Sequence, residues 1–175
     1  MRATHIRPTG IERTFGTDEI IVTKTDPRGI ITYANEVFLR ISALTEAEAV
    51  GQPHNVIRHP DMPRAVFKLL WDTIGQGQEM FAYVLNLATD GAHYWVFAHV
   101  TPSRDAHGRH VGYHSNRRRP ETSAVAAVRR VYDRVRTAES RAGSTPAAVE
   151  AGWQALEDEL GDRTYDEFVW AVTSG

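Results

Sequence analysis

Gly51–Trp71 reads GQPHNVIRHPDMPRAVFKLLW. Pro53, Pro60 and Pro63 interrupt its first half, with His54 and His59 between them. A proline inside a helix removes a backbone donor and clashes with the preceding turn, so Gln52–Pro63 is expected to be one short turn and a loop. After Pro63 the pattern changes. Ala65, Val66, Leu69, Leu70 and Ile74 recur at three- and four-residue spacing, which predicts an amphipathic helix ended by Gly75 and Gly77.

On the N-terminal side, Glu19–Thr25 and Ile30–Ala34 are β-branched runs separated by Asp26-Pro27-Arg28-Gly29, the chemistry of a hairpin turn. Val37, Phe38, Ile41 and Leu44 then follow a helical period, with Asn35 placed to cap the first turn. Thr45-Glu46-Ala47-Glu48 offers a capping box for a second short helix, closed by Gly51. On the C-terminal side, Met80–Leu87, Tyr94–Thr101 and His110–Ser115 read as strands, with Asp90-Gly91 and His107-Gly108 at their turns. Two strands, several short helices and three strands predict an α+β domain. Its five-stranded antiparallel sheet carries the helices on one face and leaves room for a ligand between the layers.

A basic run and a proline, Arg117-Arg118-Arg119-Pro120, mark a boundary. The expected organisation is an N-terminal segment at 1–18, a folded domain at 19–119 and a helical extension at 120–175. In that extension Val125, Val128, Tyr132 and Val135 draw one apolar stripe, and Val149, Trp153, Leu156 and Leu160 another. Thr145 is expected to cap the second helix with Pro146 at its first position, and Thr164 with Glu167 forms a capping box for a third. The first stripe is expected either to pair with a second copy or to dock on a signalling protein, the alternative being that it packs back on its own sheet.

Composition narrows the function classes. The 20 Lys and Arg against 22 Asp and Glu give a net charge of −2, so no overall field favours nucleic acid or an anionic membrane. Cysteine is absent, which removes disulfides, thiolate metal sites, thiol nucleophiles and cysteinyl-flavin light chemistry. No apolar run is long enough for a membrane span or a signal peptide, and the expectation is a cytoplasmic protein. The histidines from His93 onward show no metal-ligand spacing on a common helix face, which argues against zinc. No Ser/His/Asp arrangement, paired carboxylates or glycine-rich nicotinamide fingerprint is visible, so the chain is not expected to be an enzyme.

The run Gly51-Gln52-Pro53-His54-Asn55 followed by Arg58-His59-Pro60-Asp61-Met62-Pro63, with His93-Tyr94-Trp95-Val96 downstream, resembles the PAS domain of bacterial aerotaxis receptors. The likeness spans about Glu19–Arg118. It implies a PAS fold that holds FAD noncovalently and passes redox or oxygen status to a chemotaxis-type signalling partner. By position it implies that Arg58, His59 and Asp61 contact the cofactor, that Trp71 lies close by, and that Asn35 and Asn86 are polar groups of the same pocket. A guanidinium suits a pyrophosphate, amides suit the donor–acceptor edge of an isoalloxazine, and an indole can stack. Asp61 reads better as an organiser of Arg58 or His59 than as a phosphate contact.

Other readings stand beside these. His54 or His59 could ligate haem in an oxygen-sensing PAS domain, and a cofactor-free PAS dimerisation module is a further alternative. RHPDMP could be a rigid loop, Trp71 and Trp95 ordinary core, and Asn35 a plain helix cap. Met80-Phe81 lacks the tryptophan of the receptor pattern, and Leu85-Asn86-Leu87-Ala88 replaces a more basic run, so FMN stays an alternative to FAD.

Overall fold

A computed structural model describes residues 6–175. Ile21–Thr25 (β1) and Ile31–Ala34 (β2) form the expected hairpin. Asp26 Oδ1 accepts from the Arg28 and Ile30 amides at 2.8 and 2.9 Å, so the aspartate side chain builds the turn. Glu36–Ser42 (α1) starts at Asn35, whose side chain accepts from the Phe38 amide, and Glu46–Ala49 (α2) starts at the Thr45–Glu48 capping box. The proline-rich passage makes one 3₁₀ turn, His54–Ile57, before Arg64–Gly75 (α3).

Met80–Leu87 (β3), His93–Arg104 (β4) and His110–Arg118 (β5) complete an antiparallel sheet in the order β2-β1-β5-β4-β3. β4 and β5 run past the ends expected at Thr101 and Ser115. Their polar ends are paired on the backbone, Ser103 with Gly112 and Arg117 with both Ile21 and Ala98, and a ladder needs no apolar alternation to continue. One sheet face packs under α1–α3. Phe38, Ile41, Ile57, Met62, Val66 and Ile74 are buried there against Ala82, Val96 and Ala98.

The C-terminal helices are Thr122–Ser140 (α4), Thr145–Leu160 (α5) and Tyr165–Ser174 (α6). α4 and α6 cover the opposite face at the β3–β4 edge, where Trp170 meets Phe81 with ring centroids 4.9 Å apart and Tyr132 meets Trp95 at 6.0 Å, while α5 packs on α3. The stripe expected to form a seam with a second copy or partner is therefore corrected to an internal one. Val128, Tyr132 and Val135 are buried within the chain, and Val125 is half-buried against the same core. The reason is chemical as well as steric: the Tyr132 hydroxyl donates to the Tyr83 carbonyl at 2.7 Å and lies 2.6 Å from the Tyr165 hydroxyl. The α5 cap is Ser144, not Thr145; adjacent hydroxyls look alike in sequence, and proline is tolerated throughout the first helical turn, where amides lack intrahelical partners.

Upstream of β1, Thr9 donates from its amide to Gly91, and Ile11 and Arg13 exchange backbone bonds with His93, so this segment lies beside the start of β4. The first five residues of the 1–18 segment lie outside the described residues. No described helix is long and apolar enough to cross a membrane.

Because Tyr132 ties α4 to both β3 and α6, Tyr132→Phe should lower unfolding free energy by about 1–3 kcal/mol, read from the urea midpoint of a purified sample. An unchanged midpoint would mean that the hydroxyl is not a structural tie.

Candidate ligand slot

Strand alternation brings polar side chains into an otherwise apolar space between the sheet and α3. In β5, Tyr113, Ser115 and Arg117 point to one face, and their register partners Thr25 and Thr23 in β1, Val100 and Ala98 in β4, share it. Val84 and Asn86 of β3 close one side. Phe67, Leu70, Trp71 and Ile74 of α3 form the opposite wall, and His54, Ile57, Arg58 and Met62 of the proline-rich passage form the rim. The cavity between these walls is about 650 Å³ with its open mouth included, and its interior is narrow, a slot between sheet and helix.

Trp71 lines this slot edge-on to Tyr113, with ring centroids 5.8 Å apart. Its ring sits directly over Gly29 in the β1–β2 turn, where a Cβ would lie 2.6 Å from the indole. Gly29 also has φ of 80°, so the turn residue serves both the backbone and the approach of the ring. Arg58 stacks over Phe67, its guanidinium 4.4 Å from the ring centroid, and donates to the Met62 carbonyl at 3.4 Å.

The electrostatics of the slot are unusual. Arg117 is buried, with Nε donating to Ser115 Oγ at 3.0 Å and Nη2 to His54 Nε2 at 3.1 Å, while Nη1 has no partner. A guanidinium can only donate, so His54 Nε2 must be an unprotonated acceptor. Burial, and then the neighbouring Arg117 charge, hold the His54 imidazole well below its ordinary pKa of 6.5. Burial also brings Arg117 down to about 10, which leaves it cationic at neutral pH. Arg58 Nε and Asn86 Nδ2 are likewise buried without partners. No aspartate or glutamate lines the slot, and no described carboxylate forms an ion pair with Arg58 or Arg117. Arg58 is only half-buried and feels the charge of Glu139, but Arg117 is buried with no paired carboxylate, and an uncompensated buried charge costs several kcal/mol, so its free donor is arranged to meet an acceptor of something else.

Of the six residues singled out in the sequence, Arg58, Trp71 and Asn86 meet at the slot. Asn35 does not: its Oδ1 accepts from the Val22 and Phe38 amides and its Nδ2 donates to the Ile20 carbonyl, which uses the side chain as a brace between α1 and β1. His59 and Asp61 line a separate cleft beside α4, together with His93, Trp95 and Tyr132. There His59 Nδ1 accepts from the Asp61 amide at 2.9 Å, and Asp61 pairs with Arg136 at 2.5 Å. Burial lowers the His59 pKa, an effect that the Asp61 charge opposes.

Thr23, Tyr113, Ser115 and Arg117 join the slot without having stood out in the sequence, and His54 enters it in a role other than haem ligation. Part of the signal is there, since Tyr113, Ser115 and Arg117 alternate along β5, but in sequence Arg117 merely opens the basic run that ends at Arg119.

Comparison with known proteins agrees with this architecture. Residues 31–116 match the model of the PAS fold. The chain is 36% identical over 144 residues to the aerotaxis receptor of Escherichia coli, covering 82% of this chain and 27% of the receptor. It is 30% identical over 89 residues to the nitrogen fixation regulatory protein of Klebsiella pneumoniae, covering 51% of this chain and 18% of that protein. Among solved structures, a light-oxygen-voltage domain studied with a flavin analogue superimposes with a TM-score of 0.55 at 22% identity, covering 65% of this chain and 85% of that one, a likeness of fold. With the matched segment, the strand order and the helices α1–α3 stacked over the slot all in accord, residues 31–116 carry a PAS fold, similar in sequence to part of the aerotaxis receptor.

Proposed function

We propose that the slot holds the ring system of a flavin dinucleotide noncovalently and that the domain converts its redox state into a signal for a chemotaxis-type partner. The observation that carries this reading is the set of unpartnered buried donors, Arg117 Nη1 and Asn86 Nδ2, on the walls of a thin apolar slot without a carboxylate. An isoalloxazine is flat, apolar over its faces and rich in acceptors along one edge, so it matches the apolar walls and the free donors once the narrow slot widens to admit it. Arg58, on the rim, suits the anionic phosphates that extend from the ring. The likeness to the aerotaxis receptor and to a domain studied with a flavin analogue supports the same choice.

When bound, a flavin supplies a centre that takes up electrons and protons, and so changes the hydrogen-bonding character of its edge. The side chains of this domain set how that change is read. Arg117 presents a fixed cationic donor and favours whichever state carries more negative charge. Asn86 carries both a donor and an acceptor and can exchange one for the other by rotating its amide. Its backbone bridges to Arg58, so a change at Asn86 has a path into the proline-rich rim. Differential contact with the two states is what makes such a switch thermodynamically available.

Haem fits the geometry less well. His54 Nε2 is already met by Arg117 and lies 2.9 Å from Thr23 Oγ1, and His59 faces the cleft beside α4. The likeness to the aerotaxis receptor supports reading the domain as a sensor rather than an enzyme, and a sequence without cysteine suits a reducing cytosol.

The purified chain should be yellow, and heat should release a flavin that chromatography identifies as FAD or FMN. Arg117→Ala and Asn86→Ala should each weaken flavin binding by about tenfold or more, the scale of one buried hydrogen bond to a charged or polar group. Asn35→Ala should instead lower stability by about 1 kcal/mol and leave affinity near that of the parent. A colourless chain that takes up no added flavin would contradict the proposal.

The half-buried His54 ring, held against the Arg117 charge, adds a pH dependence. Its folded-state pKa lies below the unfolded value, so below about pH 6.5 the unfolded chain binds a proton that the folded chain refuses. Stability from this group is therefore complete above that pH and lost as the pH falls. Melting temperatures between pH 7.5 and 5 should drop less steeply in His54→Gln than in the parent, and equal slopes would contradict the assignment.

A further inference from the structure

The helix that forms the far wall of the slot has no cap of its own. Pro63 stands at its N-cap and offers no side-chain hydrogen bond. The amides of Arg64 and Ala65 are met instead by the two carboxylate oxygens of Glu139 near the end of α4, at 3.0 and 2.9 Å. Glu139 is buried and no described cationic side chain is bonded to it, so its charge is stabilised by the two amides and the positive end of the α3 dipole, with the Arg58 charge adding at longer range. Gly152 of α5 closes over it: a Cβ there would lie 2.4 Å from a Glu139 oxygen. A second tie, the Asp61–Arg136 ion pair, fastens the loop before α3 to α4.

The α3 helix carries Phe67, Leu70, Trp71 and Ile74 on its slot face. The slot is thin, and a three-ring guest needs the α3 wall to move away from the sheet. The start of that wall is bonded to Glu139, and α5 packs along it. Building on the flavin reading, we propose that Glu139 is the positioning residue through which filling the slot is felt by the α4–α5 hairpin, which makes that hairpin the output element of the domain. Retreat of α3 stretches the two bonds to Glu139 and loosens the packing of α5 over Gly152. By reciprocity, weakening the tie makes the slot easier to fill.

The test is hydrogen–deuterium exchange, read by mass spectrometry on the full chain loaded with FAD and on the same chain stripped of it. Amides of α5 should exchange about threefold or more faster in the loaded form, as expected for a locally weakened element. Glu139→Gln replaces one of the two acceptor oxygens with a donor that faces an amide donor; it should abolish most of this difference and tighten FAD binding several-fold. Identical α5 exchange with and without bound FAD overturns the coupling, and needs no variant. A full exchange response retained in Glu139→Gln overturns the role of that residue. A chain that takes up no FAD overturns the coupling together with the flavin reading, whereas bound FAD without an exchange difference overturns the coupling alone.

Discussion

Arg117 places a positive charge inside the protein, among Ser115, His54 and Tyr94, with no carboxylate of the described residues paired to it. Natural interiors avoid such groups unless a partner repays the lost hydration. Here the neighbours are adapted to the charge without cancelling it. His54 is kept neutral and turned to accept, and Tyr94, pushed up to about 12 by burial, keeps its proton and lies 2.7 Å from Ser42 Oγ. The result is an interior ready for acceptor atoms and hostile to cations.

The remainder of the domain serves to present that charge. Antiparallel register sets Arg117 opposite Ile21 and Ala98, so small or smooth side chains flank it and the space above stays free. The proline-rich passage cannot continue as helix, so it forms a rim that carries Arg58 and His54 to the mouth. Trp71 is fixed by Phe67, Tyr113 and the missing side chain of Gly29, which gives the slot a flat aromatic boundary. The C-terminal helices do not extend away from this unit. They wrap the β3 edge and grip the N-terminal end of α3, so these helices and the wall of the slot belong to one connected structure.

Much of the fold was legible because its signals are local. Asp26–Gly29, Asn35, Thr45 with Glu48, and Thr164 with Glu167 each announce a turn or cap within a few residues, and each forms one. The site was legible only in part because it is assembled from partners far apart in sequence. Arg58, Trp71 and Asn86 were found through a family likeness, but which way His59 points depends on its bond to the Asp61 amide, and which way Asp61 points depends on Arg136 in α4. The role of Arg117 required knowing that no carboxylate comes near it, a fact that exists only once the strands are paired. The apolar stripe of α4 carried no sign of whether its cover would be the same chain or another; the Tyr132–Tyr83 bond resolves that in favour of the same chain.

Where the unmatched donors point is read most directly from a crystal structure of the flavin-loaded chain. Arg117 Nη1 and Asn86 Nδ2 should lie within about 2.7–3.2 Å of heteroatoms on the edge of the ring, with Trp71 beside it. A ring bound elsewhere, or one in the slot with both donors still unpaired or turned toward solvent, would contradict this arrangement.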